Sequence, residues 1–430
     1  MSDRTIRVGL LGCGVVGAGV VRTLAAHADD IQRRAGVRVA VTRAAVRDLA
    51  RERDVPLPPQ AFTTDGLSIV DDPGIDVVCE LLGGLEPART LILRALANGK
   101  PVVTANKELL ASAGDEILGA AAAGELDLAF EAAVAGGIPL IRPLTESLAG
   151  ERVARLMGIV NGTTNFVLTM MADHGWGFDE ALAEAQLLGY AEADPTADVE
   201  AYDAAAKCAI LASIAFDTRV TTDDVYREGI TGITSQDMAD AHRLGYVVKL
   251  LAIAELEDGE VSARVYPAMI PRDHPLASVR EAFNAVFVEG ATVGQLMFYG
   301  RGAGGDPTAT SVVGDLVQVA RHLAHGGRAM LPAAGLGRRI RPIGGTMGQF
   351  YLNLHVVDRP GVLAEIAERF GHNGVSIERV WQEGFGEEAT LVFITHRAQE
   401  GAFQKTVDEL REMTAVRAVA SLLRVEGEEG

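Results

Sequence analysis

The chain has 430 residues, of which 48% are hydrophobic, and its formal net charge is −19. This length accommodates two or three well-packed domains, and the negative charge argues against non-specific binding to nucleic acids or anionic membranes, which require a positive surface. No apolar run is long enough to cross a bilayer, and the first residues lack the pattern of an export signal. We therefore expect a cytoplasmic protein with no nucleic-acid or membrane partner.

Short apolar runs alternate with helical segments over residues 1–133, which we predict to form a dinucleotide-binding domain. Strands that alternate with helices form a parallel sheet with right-handed crossovers. The predicted fold class of this region is therefore α/β, with a Rossmann-type doubly wound parallel sheet. Its strands are expected at residues 5–11, 38–46, 77–82, 101–104 and 126–131.

A glycine motif, GxGxxG, follows the first predicted strand and begins a helix over residues 15–26. In this context one glycine makes a tight turn, one lets the backbone approach a pyrophosphate, and one packs the helix against the strand. The helix N-terminus then faces the anion with unpaired N–H groups. The motif therefore predicts a nucleotide site that includes Gly12, Gly14, Val15, Val16 and Gly17.

The end of the second predicted strand bears on the choice between NAD and NADP. Arg47 and Asp48 lie there, and Arg51 and Arg53 follow. An acidic residue at this place binds ribose hydroxyls, whereas an arginine binds the 2′-phosphate of NADP. Both types are present, so the cofactor is NADP or NAD, with a slight preference for NADP. The alternative is that these charges form only a solvated helix start.

The pattern changes over residues 134–335, where helices mix with strands. Helices are predicted at residues 143–148, 177–189 and 199–216, and strands at residues 152–160, 259–270 and 284–290. This mixture predicts an α+β domain for substrate binding and dimerisation. Its final helix, at about residues 307–325, is expected to pack back on the nucleotide domain, and residues 331–345 are typical of a linker.

The helix predicted at residues 199–216 carries a single lysine among apolar residues. Lys207 follows Asp203 by four positions, so the two share one helix face. A surface ion pair is one interpretation. The flanking Ala, Cys, Ile and Leu residues instead predict burial, and a buried ammonium group requires a partner. We favour a proton-transferring lysine held by Asp203.

Other charged residues are expected at the same cleft. Glu192 and Asp198 lie in the loop before this helix, where carboxylates suit the ammonium group of a substrate. Lys107 follows the strand predicted at residues 101–104, at the sheet edge where open α/β folds bind ligands. Lys107 is equally well explained as an ordinary residue at the start of a helix.

Residues 348–428 have the predicted element order βαββαβ, which is that of a ferredoxin-like module. Elsewhere, Cys13, Cys79 and Cys208 are far apart, and the nine histidines show no metal-ligand spacing. Separated cysteines without a CxxC motif fit a reducing compartment. We predict buried, inert thiols and no transition-metal site, with a reactive Cys13 or Cys208 as the alternative.

Seven segments resemble, in order and spacing, the motifs of the homoserine dehydrogenases over about residues 5–330. They are GLLGCGVVG, CELLGG, VVTANKELLA, EAAVAGGIPLI, GIVNGTTNF, LGYAEADPTADVEAYDAAAK and GRGAGGDPTA. The terminal module, with VVDRPGVLAEIAERF, resembles an ACT domain. The resemblance implies reversible NAD(P)H-dependent reduction of L-aspartate 4-semialdehyde to L-homoserine, on the path to threonine, methionine and isoleucine.

The resemblance also assigns roles by motif position. Lys207 would be the catalytic acid and base, supported by Asp203, and Lys107 would polarise the carbonyl group. The substrate would be bound by Glu192, Asp198, Asp203 and Lys107. The cofactor would be bound by Gly12, Gly14, Val15, Val16, Gly17, Arg47, Gly83, Thr104, Lys107, Gly189 and Gly302.

The segment EAAVAGGIP resembles the family's monovalent-cation loop. The resemblance implies a structural sodium ion, bound by the carboxylate of Glu131 and the backbone carbonyls of Val134, Gly136 and Ile138.

The ACT-like module implies an amino-acid effector, by resemblance threonine, that exerts feedback inhibition. The residues expected to line the edge of its pocket are Asp358, Gly361, Asn373 and Val375. The alternative is a dimerisation module whose pocket binds nothing. Because the second domain and the module both commonly pair, we expect a homo-oligomer, either a dimer or a dimer of dimers.

Two positions depart from the family's pattern. Ala206 stands where the family commonly has the histidine of DAAHK, a change that would retune Lys207 but leaves its pairing with Asp203 intact. Ala201 stands where the family has a glycine after DVE, and we expect it to be tolerated inside a helix.

Two other functions are less favoured. A prephenate or phosphoglycerate dehydrogenase would combine a Rossmann domain with an ACT domain but lacks the NGTTN and GYAEADPTADV segments. A non-catalytic amino-acid sensor would have no need of Lys107, Asp203 and Lys207.

Overall fold

The computed structural model describes residues 4–329, 335–385 and 387–427. The predicted linker falls partly outside these ranges, at residues 331–334, as do the last three residues of the chain. In the described ranges, no helix combines the length and the apolar character that a bilayer crossing requires.

Six parallel strands form the N-terminal sheet, and they confirm the predicted doubly wound arrangement. They are β1 (Thr5–Leu11), β2 (Arg38–Ala45), β3 (Phe62–Thr63), β4 (Val77–Glu80), β5 (Val102–Thr104) and β6 (Leu128–Ala129). Their order in the sheet is β3-β2-β1-β4-β5-β6. The carboxyl ends of β1, β4 and β5 are therefore neighbours, at the edge where such sheets bind ligands.

The strands of this sheet are apolar because both faces are covered. In β1, for example, Ile6, Val8 and Leu10 are fully buried, and a strand covered on both faces has a continuous apolar run. The covering helices from the N-terminal part are α1 (Val15–Ala26), α2 (Ala28–Ala35), α3 (Leu67–Val70), α4 (Ala88–Ala97) and α5 (Lys107–Ala123).

Six strands and six α-helices lie in the described residues of the middle part. The strands are β7 (Val153–Ile159), β8 (Tyr226–Arg227), β9 (Tyr246–Glu257), β10 (Glu260–Pro271), β11 (Phe283–Gly290) and β12 (Gly294–Arg301). The helices are α6 (Gly162–His174), α7 (Phe178–Leu187), α8 (Thr196–Val199), α9 (Tyr202–Ala215), α10 (Ser235–Leu244) and α11 (Gly305–His325).

Two helices predicted in the middle part, at residues 143–148 and 307–325, are present in the structure. The helix predicted at residues 143–148 is present as a short π-helix, Pro143–Ser147, which continues from two helical residues at positions 141–142. Helix α11 packs against α1, and its Val312, Leu316 and Val319 share a buried core with the nucleotide-binding part.

The terminal part has the predicted ferredoxin-like order, with one additional short strand. Its elements are β13 (Met347–Val357), α12 (Val362–His372), β14 (Ile377–Phe385), β15 (Glu388–Thr395), β16 (Ala398–Gln399), α13 (Glu400–Arg411) and β17 (Val416–Val425). The main strands lie in the order β17-β13-β15-β14. Phe350 and Phe403 stack in its core with ring centroids 3.9 Å apart.

The sheets of the middle and terminal parts are continuous. Strand β17 pairs in parallel with β10, through Ala268 with Arg424 and Met269 with Val425. Helix α10 also covers the outer face of the terminal sheet, where the Tyr351 hydroxyl donates to Asp240 Oδ2 at 3.0 Å. The terminal module is thus built into the middle part and is not attached only through the chain that links them.

Candidate active site

The three motif glycines are required for different reasons. Gly12 has a φ of +97°, and a Cβ atom on it would lie 2.7 Å from the Leu81 carbonyl oxygen. A Cβ atom on Gly17 would lie 2.3 Å from the Gly12 carbonyl oxygen. By contrast, no heavy atom lies within 4 Å of the position that a Gly14 Cβ would take. The space beside Gly14, at the N-terminus of α1, is therefore open to a ligand.

A cavity of about 250 Å³ adjoins this loop. Three arginines contribute to its wall, whereas the Asp48 carboxylate accepts the Ala50 N–H at 2.8 Å and so caps a local turn. The unpaired N–H groups of α1 and the arginines fit the phosphates of a dinucleotide. The lining residues are Gly12, Cys13, Gly14, Val46, Arg47, Arg51, Arg53, Leu81 and Leu82.

A buried glutamate that the sequence analysis missed organises the neighbouring loops. Glu80, at the end of β4, has no exposed surface. One of its oxygens accepts the N–H groups of Leu82 at 2.7 Å and Gly83 at 3.3 Å, and the other accepts the Thr104 hydroxyl at 2.6 Å. Thr104 therefore directs its hydroxyl towards Glu80 and supports the loop, and its contact with the cofactor stays a prediction. A carboxylate within the apolar segment VVCELL was the available signal.

Lys107 is placed by the cap of helix α5. Asn106 accepts the Leu109 N–H at 3.1 Å and donates to the Gly84 carbonyl at 2.7 Å, so it fixes both the helix start and the loop after β4. Lys107 is the first residue of this helix. Its Nζ lies 2.7 Å from Asp203 Oδ1, although the two residues belong to different parts of the fold.

Asp203 lies between two lysines, one on each carboxylate oxygen. Lys107 contacts Oδ1, and Lys207 donates to Oδ2 at 2.6 Å and to the Val160 carbonyl at 2.7 Å. The Lys207 side chain is only 11% exposed, whereas that of Lys107 is 44% exposed. The burial and pairing predicted for Lys207 are thus present, and Lys107 joins them.

The charges of this trio shift each other's pKa values. Burial raises the pKa of Asp203, but the two lysines outweigh it and hold the pKa well below its usual value. Burial lowers the pKa of Lys207, aided by the charge of Lys107 and opposed by Asp203. Burial also lowers the pKa of Lys107, but Asp203 outweighs it and leaves that pKa above its usual value. Lys207 is therefore the more easily deprotonated of the two amines.

Asn161 and Thr163, from the NGTTN segment, connect the carboxylates of the site. Asn161 Nδ2 donates to Asp198 at 2.7 Å and to Asp203 at 2.9 Å. Thr163 Oγ1 lies 3.0 Å from the second oxygen of Asp198 and 2.6 Å from the Tyr190 carbonyl. The sequence analysis used this segment only for its resemblance and assigned no role to either residue.

The carboxylates predicted to bind substrate surround a cavity of about 680 Å³. Lys107, Asp203, Glu192 and Asp198 all contribute to its wall, whereas Lys207 does not. Ala206, the position of the family's usual histidine, also lines it. The remaining residues of the wall are Glu108, Ser112, Asp194, Ala197, Tyr202, Ala205, Thr222, Asp223 and Arg227.

Known protein families account for nearly the whole chain. The model of the homoserine dehydrogenase NAD-binding domain matches residues 12–131, that of homoserine dehydrogenase matches residues 139–317, and that of the ACT domain matches residues 350–414. The homoserine dehydrogenase of Mycobacterium tuberculosis (strain H37Rv) is 49% identical over 99% of this chain and 98% of its own length. The chain belongs to the homoserine dehydrogenase family.

Solved homoserine dehydrogenases share this fold. The enzyme of Thiobacillus denitrificans superimposes with a TM-score of 0.93 at 44% identity, covering 99% of both chains. A hyperthermophilic archaeal homoserine dehydrogenase in complex with NADPH has a TM-score of 0.63 at 26% identity, covering 74% of this chain and 98% of that one. Members of the family are nicotinamide-dependent oxidoreductases, and the NAD-binding model covers the open glycine loop.

The predicted sodium site of this homoserine dehydrogenase does not fit its carboxylate ligand. Glu131 is buried, and its oxygens accept the N–H groups of Leu140, Ile141 and Arg142, while Arg142 Nε lies 3.0 Å away. N–H donors and a guanidinium group occupy the positions that a cation would need. No group of three or more His, Cys, Asp or Glu side chains in the described residues is arranged to hold a metal ion.

Gly302, which was assigned to the cofactor cleft, packs against protein, whereas Gly189 is open and its role stays a prediction. A Cβ atom on Gly302 would lie 1.9 Å from Asn284 Nδ2, and one on Gly136 would lie 2.3 Å from the Gly302 carbonyl oxygen. Gly302 therefore packs against Asn284 and the loop that contains Val134, Gly136 and Ile138. Gly189 has a φ of +77° and open space around it.

The expectation that Ala201 lies inside a helix is wrong. Ala201 is the residue before α9, and its φ of +63° is left-handed. Such a conformation costs an L-residue about 1–2 kcal/mol, which explains why the family's usual residue here is glycine. In this homoserine dehydrogenase the surrounding structure must hold Ala201 in place.

Only two of the four predicted effector residues reach the cavity of the ACT module. This cavity, of about 420 Å³, is lined by Asp358 and Gly361 with parts of β13, α12 and β14. Asn373 instead donates to Glu409 at 3.1 Å, and Val375 is buried in the core of the module. Asn373 and Val375 therefore do not line this cavity, and their contact with an effector stays a prediction.

The three cysteines are free and buried. Burial raises the pKa of the Cys208 thiol to about 12 and also raises the pKa of Cys13. Both observations favour the interpretation of these thiols as inert.

Proposed function

We propose that this homoserine dehydrogenase reduces L-aspartate 4-semialdehyde to L-homoserine, reversibly and preferentially with NADPH. One observation carries the proposal: Asp203 joins two lysines at a carboxylate-lined cavity, beside the sheet edge that holds the glycine loop. Within this proposal, residues 1–133 bind the nucleotide, residues 134–335 bind the substrate and residues 348–428 regulate.

Each charged group has a task in the reaction. When bound, the nicotinamide supplies the hydride. Glu192 and Asp198 bind the ammonium group of the amino acid. Lys107 and Lys207 stabilise the oxygen as negative charge develops on it, and Lys207 Nζ gives it a proton.

The opposite direction requires the opposite protonation state. To oxidise homoserine, Lys207 must first be neutral, so that its amine accepts the hydroxyl proton. Asp203 remains ionised throughout, because its pKa is held low, and it therefore keeps both lysines in place.

The preference for NADPH rests on the arginines beside the glycine loop. Arg47 and Arg51 line the cavity, and Arg53 is held by the carbonyl groups of Cys13 and Asp48 at 3.3 and 2.9 Å. Arginine suits the 2′-phosphate of NADP, while Asp48 is occupied by its own turn. The NADPH complex of the archaeal homoserine dehydrogenase agrees with this assignment.

We further propose that threonine inhibits through the ACT module, on the path to threonine, methionine and isoleucine. The cavity beside Asp358 and Gly361, of about 420 Å³, has room for an amino acid. A homo-oligomer, a dimer or a dimer of dimers, belongs to the same proposal. The free cysteines suit the reducing cytoplasm, which we propose as its compartment.

The decisive experiment follows NADPH absorbance with aspartate semialdehyde, and NADP reduction with homoserine. We expect turnover in both directions, a higher kcat/KM with NADPH than with NADH, and inhibition by millimolar threonine. The variant R47A/R51A should lose the preference for NADPH while its kcat/KM with NADH is retained. No turnover with either substrate pair would refute the proposed reaction.

A further inference from the structure

We propose that Arg424, in the last strand of the ACT module, is a positioning residue for the substrate-binding carboxylates Asp198 and Asp203. The inference rests on the proposed function, because it concerns how the same site is kept in order. It assigns a role in substrate binding to a residue that lies outside the cavity.

Arg424 is a buried cation with one carboxylate partner in the ACT module and one in the middle part. Its side chain is 3% exposed. Nη2 donates to Glu400 of the ACT module at 2.7 Å, and Nη1 pairs with Glu228 of the middle part. Glu228 also accepts the Tyr226 hydroxyl. The guanidinium group divides its N–H donors between these two carboxylates, and loss of either one would leave buried donors without an acceptor.

Glu228 belongs to a short segment, residues 226–231, which we call the strap. The strap begins beside β10, where the Glu228 N–H donates to the Val265 carbonyl at 2.8 Å. Beyond Glu228 it crosses to the segment between α8 and α9. Arg424 therefore holds the strap at the point where it leaves the sheet.

Several contacts join the strap to residues 199–201. The Ile230 N–H donates to the Val199 carbonyl at 2.8 Å, and Arg227 donates to the Glu200 carbonyl at 3.1 Å. The approach is close, since a Cβ atom on Gly229 would lie 2.4 Å from the Val199 carbonyl oxygen. A displacement of the strap would therefore displace residues 199–201.

Residues 199–201 set the spacing of the two carboxylates. Asp198 precedes them in α8 and Asp203 follows them in α9, and Asn161 Nδ2 donates to both. The left-handed Ala201 lies between the two and does not favour this conformation by itself. External contacts must fix it, and the strap supplies them.

The test measures homoserine oxidation by the full-length variant R424M. We expect the KM for homoserine to rise about tenfold because Asp198 is displaced, and kcat per folded enzyme to change less than about threefold, because Lys107, Lys207 and Asn161 still hold Asp203. The Kd for NADPH should be unchanged, since the glycine loop is not involved. The control is R417M, on the same strand but exposed, which should match the parent enzyme.

Two further variants separate positioning from a merely structural role. R424K keeps the charge and should restore part of the KM, whereas lost stability alone would lower the melting temperature and leave the KM unchanged. If R424M does not fold, E228Q should raise the KM in the same way. A KM for R424M or E228Q within about twofold of the parent value would overturn the proposal.

Hydrogen exchange provides a reading that does not depend on the reaction. The Ile230 amide reports its bond to Val199 directly, and we expect it to exchange faster in R424M than in R417M. If the parent enzyme does not oxidise homoserine, the proposed function fails and this measurement still decides the coupling. Equal protection of Ile230 in the two variants would overturn it.

Discussion

The two lysines that pair with Asp203 differ in their exposure to solvent. Each oxygen of Asp203 contacts one ammonium group, but Lys107 is partly solvated while Lys207 is nearly buried. The same carboxylate therefore balances two different desolvation costs. As a result, the pKa of Lys107 lies above the usual lysine value and that of Lys207 lies below it, so Lys207 loses its proton more readily.

Replacement of Lys207 by alanine should remove the proton-transferring group. We expect kcat to fall by about 10²- to 10⁴-fold, the usual contribution of general acid–base catalysis, with little change in NADPH affinity. The matched control is K249M. Lys249 is also buried, with a pKa lowered to about 8 by desolvation, but it donates to Asn165 outside the cavity. Its loss should lower stability and leave kcat nearly intact, and a near-normal rate for K207A would remove Lys207 from the mechanism.

The pH dependence of homoserine oxidation should respond to Asp203. Oxidation requires neutral Lys207, so kcat/KM rises with pH through the pKa of Lys207, which burial holds below the usual lysine value. Asp203 raises that pKa, so the variant D203N should lower it further and move the rising limb to lower pH. The control D194N removes a carboxylate that accepts hydrogen bonds from Thr196 and not from Lys207. The pH range over which its kcat/KM rises should match that of the parent enzyme. An unchanged limb in D203N would contradict the assignment.

The spacing of residues along helix α9 predicted the pairing of Asp203 with Lys207, but not the contacts that reach Asp203 from other segments. The contact between Asp203 and Lys207 lies within one helix, so the sequence determines it. Lys107 meets Asp203 only after two domains pack together, and Asn161 reaches it from a third segment. Contacts of this kind depend on tertiary structure, and no periodicity reports them.

At the scale of elements, the turn from β1 to α1 combines packing and recognition in one motif. Gly17 and Gly12 are held by close backbone contacts, whereas Gly14 has free space beside it. Alanine at each position should therefore have a different effect.

We predict that G17A loses stability and G14A loses cofactor affinity. The Cβ atom of G17A would meet the Gly12 carbonyl oxygen, and overpacking of this kind costs about 1–3 kcal/mol. G14A has an ordinary backbone conformation and open space, so its stability should change by less than about 0.5 kcal/mol. Its NADPH affinity should fall at least about tenfold, or 1.4 kcal/mol. Denaturant unfolding and NADPH titration of both variants measure the contrast, and equal effects would contradict it.

Strand prediction from apolar runs located β1 and β4 but did not find the equally buried β9. Strands β1 and β4 are covered on both faces, and their apolar runs marked them with small errors at the ends. Strand β12 was missed because it lies at a sheet edge with most of its residues partly exposed. The left-handed Ala201 was missed because a helix propensity says nothing about the residue that precedes the first turn.

At the scale of the whole molecule, the ACT module and the middle part are joined by a common sheet and a common hydrophobic core. They share strands through β10 and β17 and a hydrophobic core that contains Tyr351, Val392 and Leu423. Sequence patterns predicted the module but not this pairing, because a parallel contact between distant strands leaves no local signal.

We predict that the middle part and the ACT module unfold together. The chain has two tryptophans, Trp176 in the middle part and Trp381 in the module, and both pack on the same core. The variants W176F and W381F each leave one reporter, and their denaturation midpoints by fluorescence should coincide. An earlier transition reported by Trp381 alone would show that the module unfolds independently.

The place of β17 in the sheet also has a consequence for the order of assembly on the ribosome. Strand β17 fills the gap between β10 and β13, yet it is synthesised after both. Until it emerges, Ala268 and Met269 at the edge of β10 lack their partners Arg424 and Val425, and the Arg264 guanidinium lacks its contact with Glu426. A nascent chain therefore exposes an open strand edge late in translation, which is the stage at which chaperones would protect it from mispairing.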